Sequence, residues 1–199
     1  MDAQGRNEGD FPRDHGEREI AALFREAESA IKTAEELHSQ LPFPAVNELR
    51  YAGRHLAEWL AGRDAEEFRK AVGHCRRALY DAHEARLLFY LEELAKFRDD
   101  YRNIVVSEVV KSYGEIADEI GRARDDINRM RASGMDKAEV YRKMAEYADL
   151  LARRHSFLEA QREELNKKIR QERRLTFASW AAMFGAAIAF ITLVLTMAR

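Results

Sequence analysis

Apolar residues recur at steps of three and four along most of this chain, the signature of helices that each bury one face. The set Ile20, Leu23, Ala27, Ala30, Ala34 and Leu37, with Leu41 at its end, predicts a first helix from about Glu17 to Gln40, closed by Pro42 and Pro44. A second, short helix is predicted from Val46 to Ala61, burying Leu49, Leu56, Trp59 and Leu60 and capped by Gly62. Asp64 with Glu67 reads as a capping box that opens a third helix near Ala65. The middle of that helix, Leu87-Leu88-Phe89-Tyr90-Leu91, is apolar around most of its circumference, which places it centrally in a bundle.

The cleanest repeat follows: Val106, Val109, Tyr113, Ile116, Ile120, Ala123, Ile127 and Met130, spaced 3-4-3-4-3-4-3, a heptad seam for a partner helix. Ile104-Val105-Val106 is too short a β-branched run to outweigh its surroundings, so helix is expected to resume at once. Gly114 and Gly121 either allow a close approach or only soften this helix. Ser133-Gly134 makes a turn, and Asp136 with Glu139 caps a last helix carrying Val140, Met144, Tyr147, Leu151, Leu158 and Leu165. From Lys137 to Arg174 it would be an unbroken stalk of ~57 Å at about 1.5 Å per residue. Its upper part is expected to pack antiparallel on residues 106–130. Arg154, Gln161 and Lys168 at core-type positions leave the lower part to solvent or to symmetry mates.

Three prolines and ten glycines are too few for a loop-rich β architecture, so composition supports the same all-α class. The expected organisation is a disordered 1–16, a helical bundle over 17–102, a hairpin and stalk over 103–174, and a transmembrane helix over 175–198. Charge changes the picture most. Of 68 Asp, Glu, Lys and Arg residues all but Arg199 precede Leu175, so the net charge of −2 averages two segments made for different solvents. A simple soluble globule is excluded. Leu175 to Met197 gives 23 consecutive uncharged residues, where a helix of about 20 crosses a hydrocarbon core of ~30 Å. Lys167, Lys168, Arg170, Arg173 and Arg174 crowd the near flank and only Arg199 follows. The positive-inside rule therefore places residues 1–174 in the cytoplasm and predicts a tail-anchored protein. The N-terminus has no apolar region of the kind a secretory signal needs.

The uncharged helix has two faces. At ~100° per residue, Ala178, Ala181, Ala182, Gly185, Ala189, Thr192 and Thr196 fall on one side, and Trp180, Met183, Phe184, Phe190, Ile191, Val194 and Leu195 on the other. Ala181, Gly185 and Ala189 form a small-xxx-small pattern, and in lipid such patterns join helices by close backbone approach. Homo-oligomerisation follows, with Thr192 and Thr196 as the residues that would face a pore. A plain anchor whose alanines carry no role is the alternative.

Candidate chemistry is sparse. The single cysteine, Cys75, forms no internal disulfide, and the six histidines show no zinc spacing, so neither metal nor cofactor is expected. Arg50…His55, Arg69…His74 and Arg76 or Arg77…His83 fit the Arg-x(4–6)-His spacing of HEPN-type helical nucleases. Yet 25 arginines and six histidines give roughly two such hits by chance, and no enzymatic activity is expected. The paired carboxylates Glu66-Glu67, Asp99-Asp100, Asp125-Asp126 and Glu163-Glu164 point in different directions on helices and read as solvated faces. Gly-rich phosphate loops and nucleophile elbows are absent from the sequence. The best polar constellation is Arg50, Arg54, His55, His74, Arg76 and Arg77, on two helices that a short turn at Gly62 sets side by side. It could hold an anion such as a nucleotide or a nucleic-acid end. The plainer reading, and the favoured one, is that it is consumed by ion pairs with Glu48, Glu58, Glu66 and Glu67.

Three features together, the Leu175 to Met197 span with its small face, the 106–165 hairpin and the segment ELRYAGRHLAEW…AVGHCRRALYDA (Glu48 to Ala82), give the chain an architecture. That architecture resembles the small membrane effectors of bacterial anti-phage systems, including the transmembrane effector of Hailong-type defence. The resemblance implies a homo-oligomer whose spans form an ion-conducting pore, regulated by a nucleotide or oligonucleotide. The partners so implied are the lipid bilayer, further copies of the chain and that regulator. A tail-anchored coiled-coil scaffold that recruits a partner protein is the alternative.

Overall fold

A computed structural model describes residues 13–132 and 137–197. The described residues form α1 (Arg13–His38), α2 (Phe43–Gly62), α3 (Ala65–Asp100), α4 (Tyr113–Ala132), α5 (Lys137–Ala160) and α6 (Arg162–Met197), with one 3-10 turn at Val106–Glu108. The protein is all-helical, as its periodicity predicts. The expected turn at Ser133-Gly134, the cap at Asp136 and residues 1–12 of the N-terminal segment lie outside the described residues. Residues 13–16, expected to precede the first helix, are part of α1.

The first two helix ends differ from expectation in an instructive way. Ser39 adopts a left-handed conformation at φ 52° and ends the helical run before either proline. Pro42 and Pro44 instead begin α2, where a missing N–H is no loss because first-turn amides have no intrahelical acceptor. At the other end of α2 the left-handed cap is Arg63, at φ 55°, rather than Gly62. Its N–H donates to the Trp59 carbonyl at 2.7 Å. A left-handed non-glycine costs about 1–2 kcal/mol. Here the guanidinium lies 4.8 Å from the Trp59 ring centre and 3.7 Å from Glu17, contacts that a glycine could not make.

α3 is the shared helix. α1 lies parallel to its first half: Gly16 abuts Phe68, and His38 Nε2 bonds the Ala85 carbonyl at 3.0 Å. α2 returns antiparallel on α3 beside α1, setting Trp59 against Phe68 and Ala45 near Ala82. α5 and the first turns of α6 run parallel to the second half, with Tyr141 by Tyr80, Asp149 2.8 Å from Arg86 and His155 by Tyr90 on α5, and Asn166 of α6 bonded to Tyr101. The two halves are packed with different residues. Upper contacts use mostly alanines (Ala27, Ala30, Ala34, Ala45, Ala52, Ala71, Ala78 and Ala82) with Ile20, Ile31 and Cys75, whereas the lower core holds Leu87, Phe97, Met144, Leu151, Leu158 and Leu165.

The chain does not resume helix after Ile104. Residues 101–112 form turns around the 3-10 segment, and α4 starts only at Tyr113. The physical reason is direction: α4 must run antiparallel to α3, and the β-branched Ile104-Val105-Val106 and Val109-Val110 supply a compact reversal. Val106 and Val110 are buried beneath it while Val105 is exposed. Beyond the reversal the heptad seam packs as expected, with Ile116, Ala123, Ile127 and Met130 buried. Open space surrounds Gly114 and Gly121, so neither marks a close approach. Tyr147 donates to Asp126 at 2.5 Å, Arg154 pairs with Glu119, and Lys168 sits 2.7 Å from Glu108, an antiparallel register with α5 and α6. The charged residues at core-type positions are thus paired across the hairpin, and Leu165, expected at the edge of a solvated stalk, is fully buried. Nor is the stalk unbroken. At Gln161 the ladder tightens, its N–H bonding Leu158 at 3.0 Å, before α6 continues.

From Leu175 to Ile191 every residue of α6 is exposed, and the helix is long and apolar enough to span a membrane. Removing a fully buried leucine loses its transfer energy and leaves a cavity. Leu151→Ala should therefore destabilise the bundle by about 2–5 kcal/mol, whereas Leu88→Ala, at 49 % exposure, should cost well under half of that. Chemical denaturation of a chain ending at Arg174 measures both, and equal losses would refute the packing described.

Candidate functional site

Antiparallel pairing of α2 with the start of α3 brings two histidine–carboxylate pairs together. His55 Nδ1 donates to Glu67 at 2.5 Å, and His74 Nδ1 donates to Glu48 at 2.7 Å. The two imidazoles stack with centres 5.1 Å apart and an interplanar angle of 13°, and Tyr51 tilts against His74 at 5.5 Å. His55 is buried, and Tyr51 is exposed at the rim. Cations surround this aromatic tier. Arg54 donates to His55 Nε2 at 3.2 Å, which leaves that nitrogen as the acceptor and Nδ1 as the proton-bearing atom. Arg77 Nε donates to Glu48 at 2.7 Å, Lys70 donates to Glu67 at 2.6 Å, and the Arg50 and Arg54 guanidinium groups lie 5.2 and 6.0 Å from the Tyr51 ring centre.

Charge balance explains the protonation states. Lys70 and the His55 N–H hold the Glu67 carboxyl down at about 2, against an opposing push from burial. Burial raises Glu48, but hydrogen bonds from Arg77 and His74 outweigh it and leave the carboxyl below its usual range. Asp81, one turn beyond Arg77, behaves oppositely: burial, then the nearby charges of Glu48 and Glu84, push it up to about 6.

Five of the six residues singled out in the sequence meet here: Arg50, Arg54, His55, His74 and Arg77. Arg76 is exposed on an adjacent face of α3, its charge felt by Tyr141 at the start of α5. The carboxylates Glu48, Glu58 and Glu67 do hold ion pairs with the cluster, the plainer of the two sequence readings, while Glu66 takes Arg69. The Arg-x(4–6)-His pairs do not converge: His83 is buried away from the cluster beside Arg86, and burial lowers it to about 4. Sequence reasoning missed Tyr51 and Asp81. Their signal was spacing, since His74, Arg77 and Asp81 are steps of three and four on one face of α3, and Tyr51 follows Glu48 by three on α2.

His55, Glu58 and Glu67 place three ligand atoms within 4.8 Å of one another, a set able to take a divalent cation that no Cys/His spacing in the sequence reveals. In the structure Lys70 and Arg54 supply the positive charge there.

The second candidate region is the exposed part of α6. Ala178, Ala181, Ala182, Gly185 and Ala189 are all exposed there, as is Thr196; Thr192 lies outside the residues whose side chains are described. On the opposite stripe Trp180 and Phe184 pack at 6.2 Å. Thr176 and Ser179 donate to the carbonyls of Glu172 and Leu175 at 2.9 Å each, so both hydroxyls are satisfied within the helix, as an apolar surrounding requires.

Fold and sites define an all-helical protein with one helix long enough for a membrane and one polar, aromatic tier between two helices of its bundle. Compared with known families, curated proteins and solved structures, the chain matches none.

Because Asp81 has its carboxyl raised in the fold, its ionisation works against folding: stability present below the unfolded value near 3.8 is lost as pH rises through about 6. Asp81→Asn should therefore melt above the parent at pH 7.5, the difference shrinking to nothing toward pH 4. Thermal denaturation across that range checks it, and a variant less stable at pH 7.5 would contradict the assigned environment.

Proposed function

We propose that this protein is a membrane-anchored homo-oligomeric effector whose C-terminal helices permeabilise the bacterial inner membrane under the control of its cytoplasmic bundle. The observation that carries the reading is the two-faced uncharged helix. Its described residues are exposed, and its small face offers the close approach by which helices associate in lipid. A monomeric anchor has no use for such a face. Orientation with residues 1–174 in the cytoplasm follows from the five basic residues of the flank. The architecture it shares with membrane effectors of anti-phage defence supports the same role.

Control comes from the tier between α2 and α3. Exposed Tyr51 with Arg50 and Arg54 beside its ring is a stacking platform with cations, the chemistry that takes a nucleobase and its phosphate. A phosphate arriving at Arg77 competes with Glu48 for the guanidinium, loosening the hold of α2 on α3. α3 then carries the change to α5, which is packed on its other half and leads into α6. Such a ligand shifts the equilibrium only as far as it binds the two states differently, so this competition is where the coupling resides.

The full chain, reconstituted in vesicles, should leak ions, and Gly185→Leu or Ala189→Leu should reduce the leak to that of protein-free vesicles. Exchanging the span for an unrelated monomeric one should do the same. Unchanged cellular activity after that exchange would overturn the reading and favour a scaffold that needs its span only as an anchor.

A further inference from the structure

A cleft of about 430 Å³ opens where the lower end of the bundle meets α6, between the turn after α3 and the first turns of the uncharged segment. Its walls change character along the helix axis. Toward the bundle lie Ile169 and Arg173 of α6; Tyr101, Asn103 and Ile104 come from the turn, and Phe177 and Trp180 line the end nearest the span. The carboxylates in the wall are already engaged: Asp100 accepts from Arg162 at 2.7 Å, and Glu172 lies 3.6 Å from Lys168. The Arg173 guanidinium and the Asn103 amide, both exposed in the lining, make no described side-chain hydrogen bond or ion pair, which leaves their donors open to a ligand.

We propose that this cleft binds the headgroup and upper acyl chain of an anionic phospholipid, with Arg173 and Asn103 on the phosphate and Phe177, Trp180 and Ile104 against the chain. Three observations favour a lipid over a free anion. Along α6 the cleft begins at Ile169, six residues before the uncharged stretch, and ends at Trp180, five residues past its first residue, a rise of about 16 Å that straddles the headgroup boundary. Trp180 is 57 % exposed at the level where indole rings sit in a bilayer interface. Arg170, one turn earlier, is outside the cleft, so the feature is a shaped site and not the basic flank as a whole.

This inference rests on α6 entering a bilayer, and the experiment separates the two. The full chain is reconstituted in nanodiscs of phosphatidylcholine with phosphatidylglycerol, extracted gently, and its retained lipid identified by native mass spectrometry. The parent should retain phosphatidylglycerol over phosphatidylcholine. Arg173→Gln should lower that retention roughly tenfold, the effect of one charge-assisted hydrogen bond, while Arg170→Gln leaves it unchanged. Equal retention of both lipids, or equal losses in the two variants, would overturn the cleft alone. Failure of the chain to enter the discs would overturn the membrane reading and the cleft together.

Discussion

A helix of 36 residues whose middle, Leu87 to Leu91, is apolar around most of its circumference cannot be satisfied by one neighbour, and α3 imposes that requirement on the whole chain. It meets it with two sets of partners placed in succession along its axis, α1 and α2 above and α5 below, with α4 closing the outside of α5. The reversal at residues 101–112 and the close turn at Ser39 both exist because the chain must come back to this helix. Even the polar tier depends on it: His74, Arg77 and Asp81 occupy the part of the α3 surface that faces α2, and their partners are there only because α2 lies antiparallel.

Much of this was legible in the sequence because helical burial writes a period into it. The seam at Ile116, Ala123, Ile127 and Met130, the central position of α3 and the start of α3 at Ala65 all follow from spacing. What spacing could not carry was direction. Val106 and Val109 fit the heptad as well as Ile116 does, yet they belong to the turn that sends α4 back, and no periodicity distinguishes a seam that continues from one that is about to fold over. Helix caps failed for a similar reason. Gly62 is the intrinsically better left-handed residue, but Arg63 takes that conformation because Trp59 and Glu17 lie within reach of its side chain, and they are brought there by tertiary structure.

The polar cluster was half visible. Its residues could be named from composition on α2 and α3, but their partners could not. Glu67 looks like a capping-box residue by position, while its carboxylate turns toward His55 and Lys70 and only Asp64 caps the helix, accepting from the Glu66 N–H at 2.9 Å. The uncharged segment shows the opposite case, because length and apolar composition are carried by the segment itself and are read without any partner.

The contrast between the two halves of the α3 core has a mechanical side. Alanine against alanine presents shallow relief, so helices packed this way resist separation but offer little to catch on when one slides lengthwise past another. Leucine, phenylalanine and methionine interlock, and to slide they must first rise out of their holes. Resistance to axial slip in the lower half therefore comes from side-chain relief, whereas in the upper half it falls to Ile20, Ile31 and the ion pairs that tie α2 to α3.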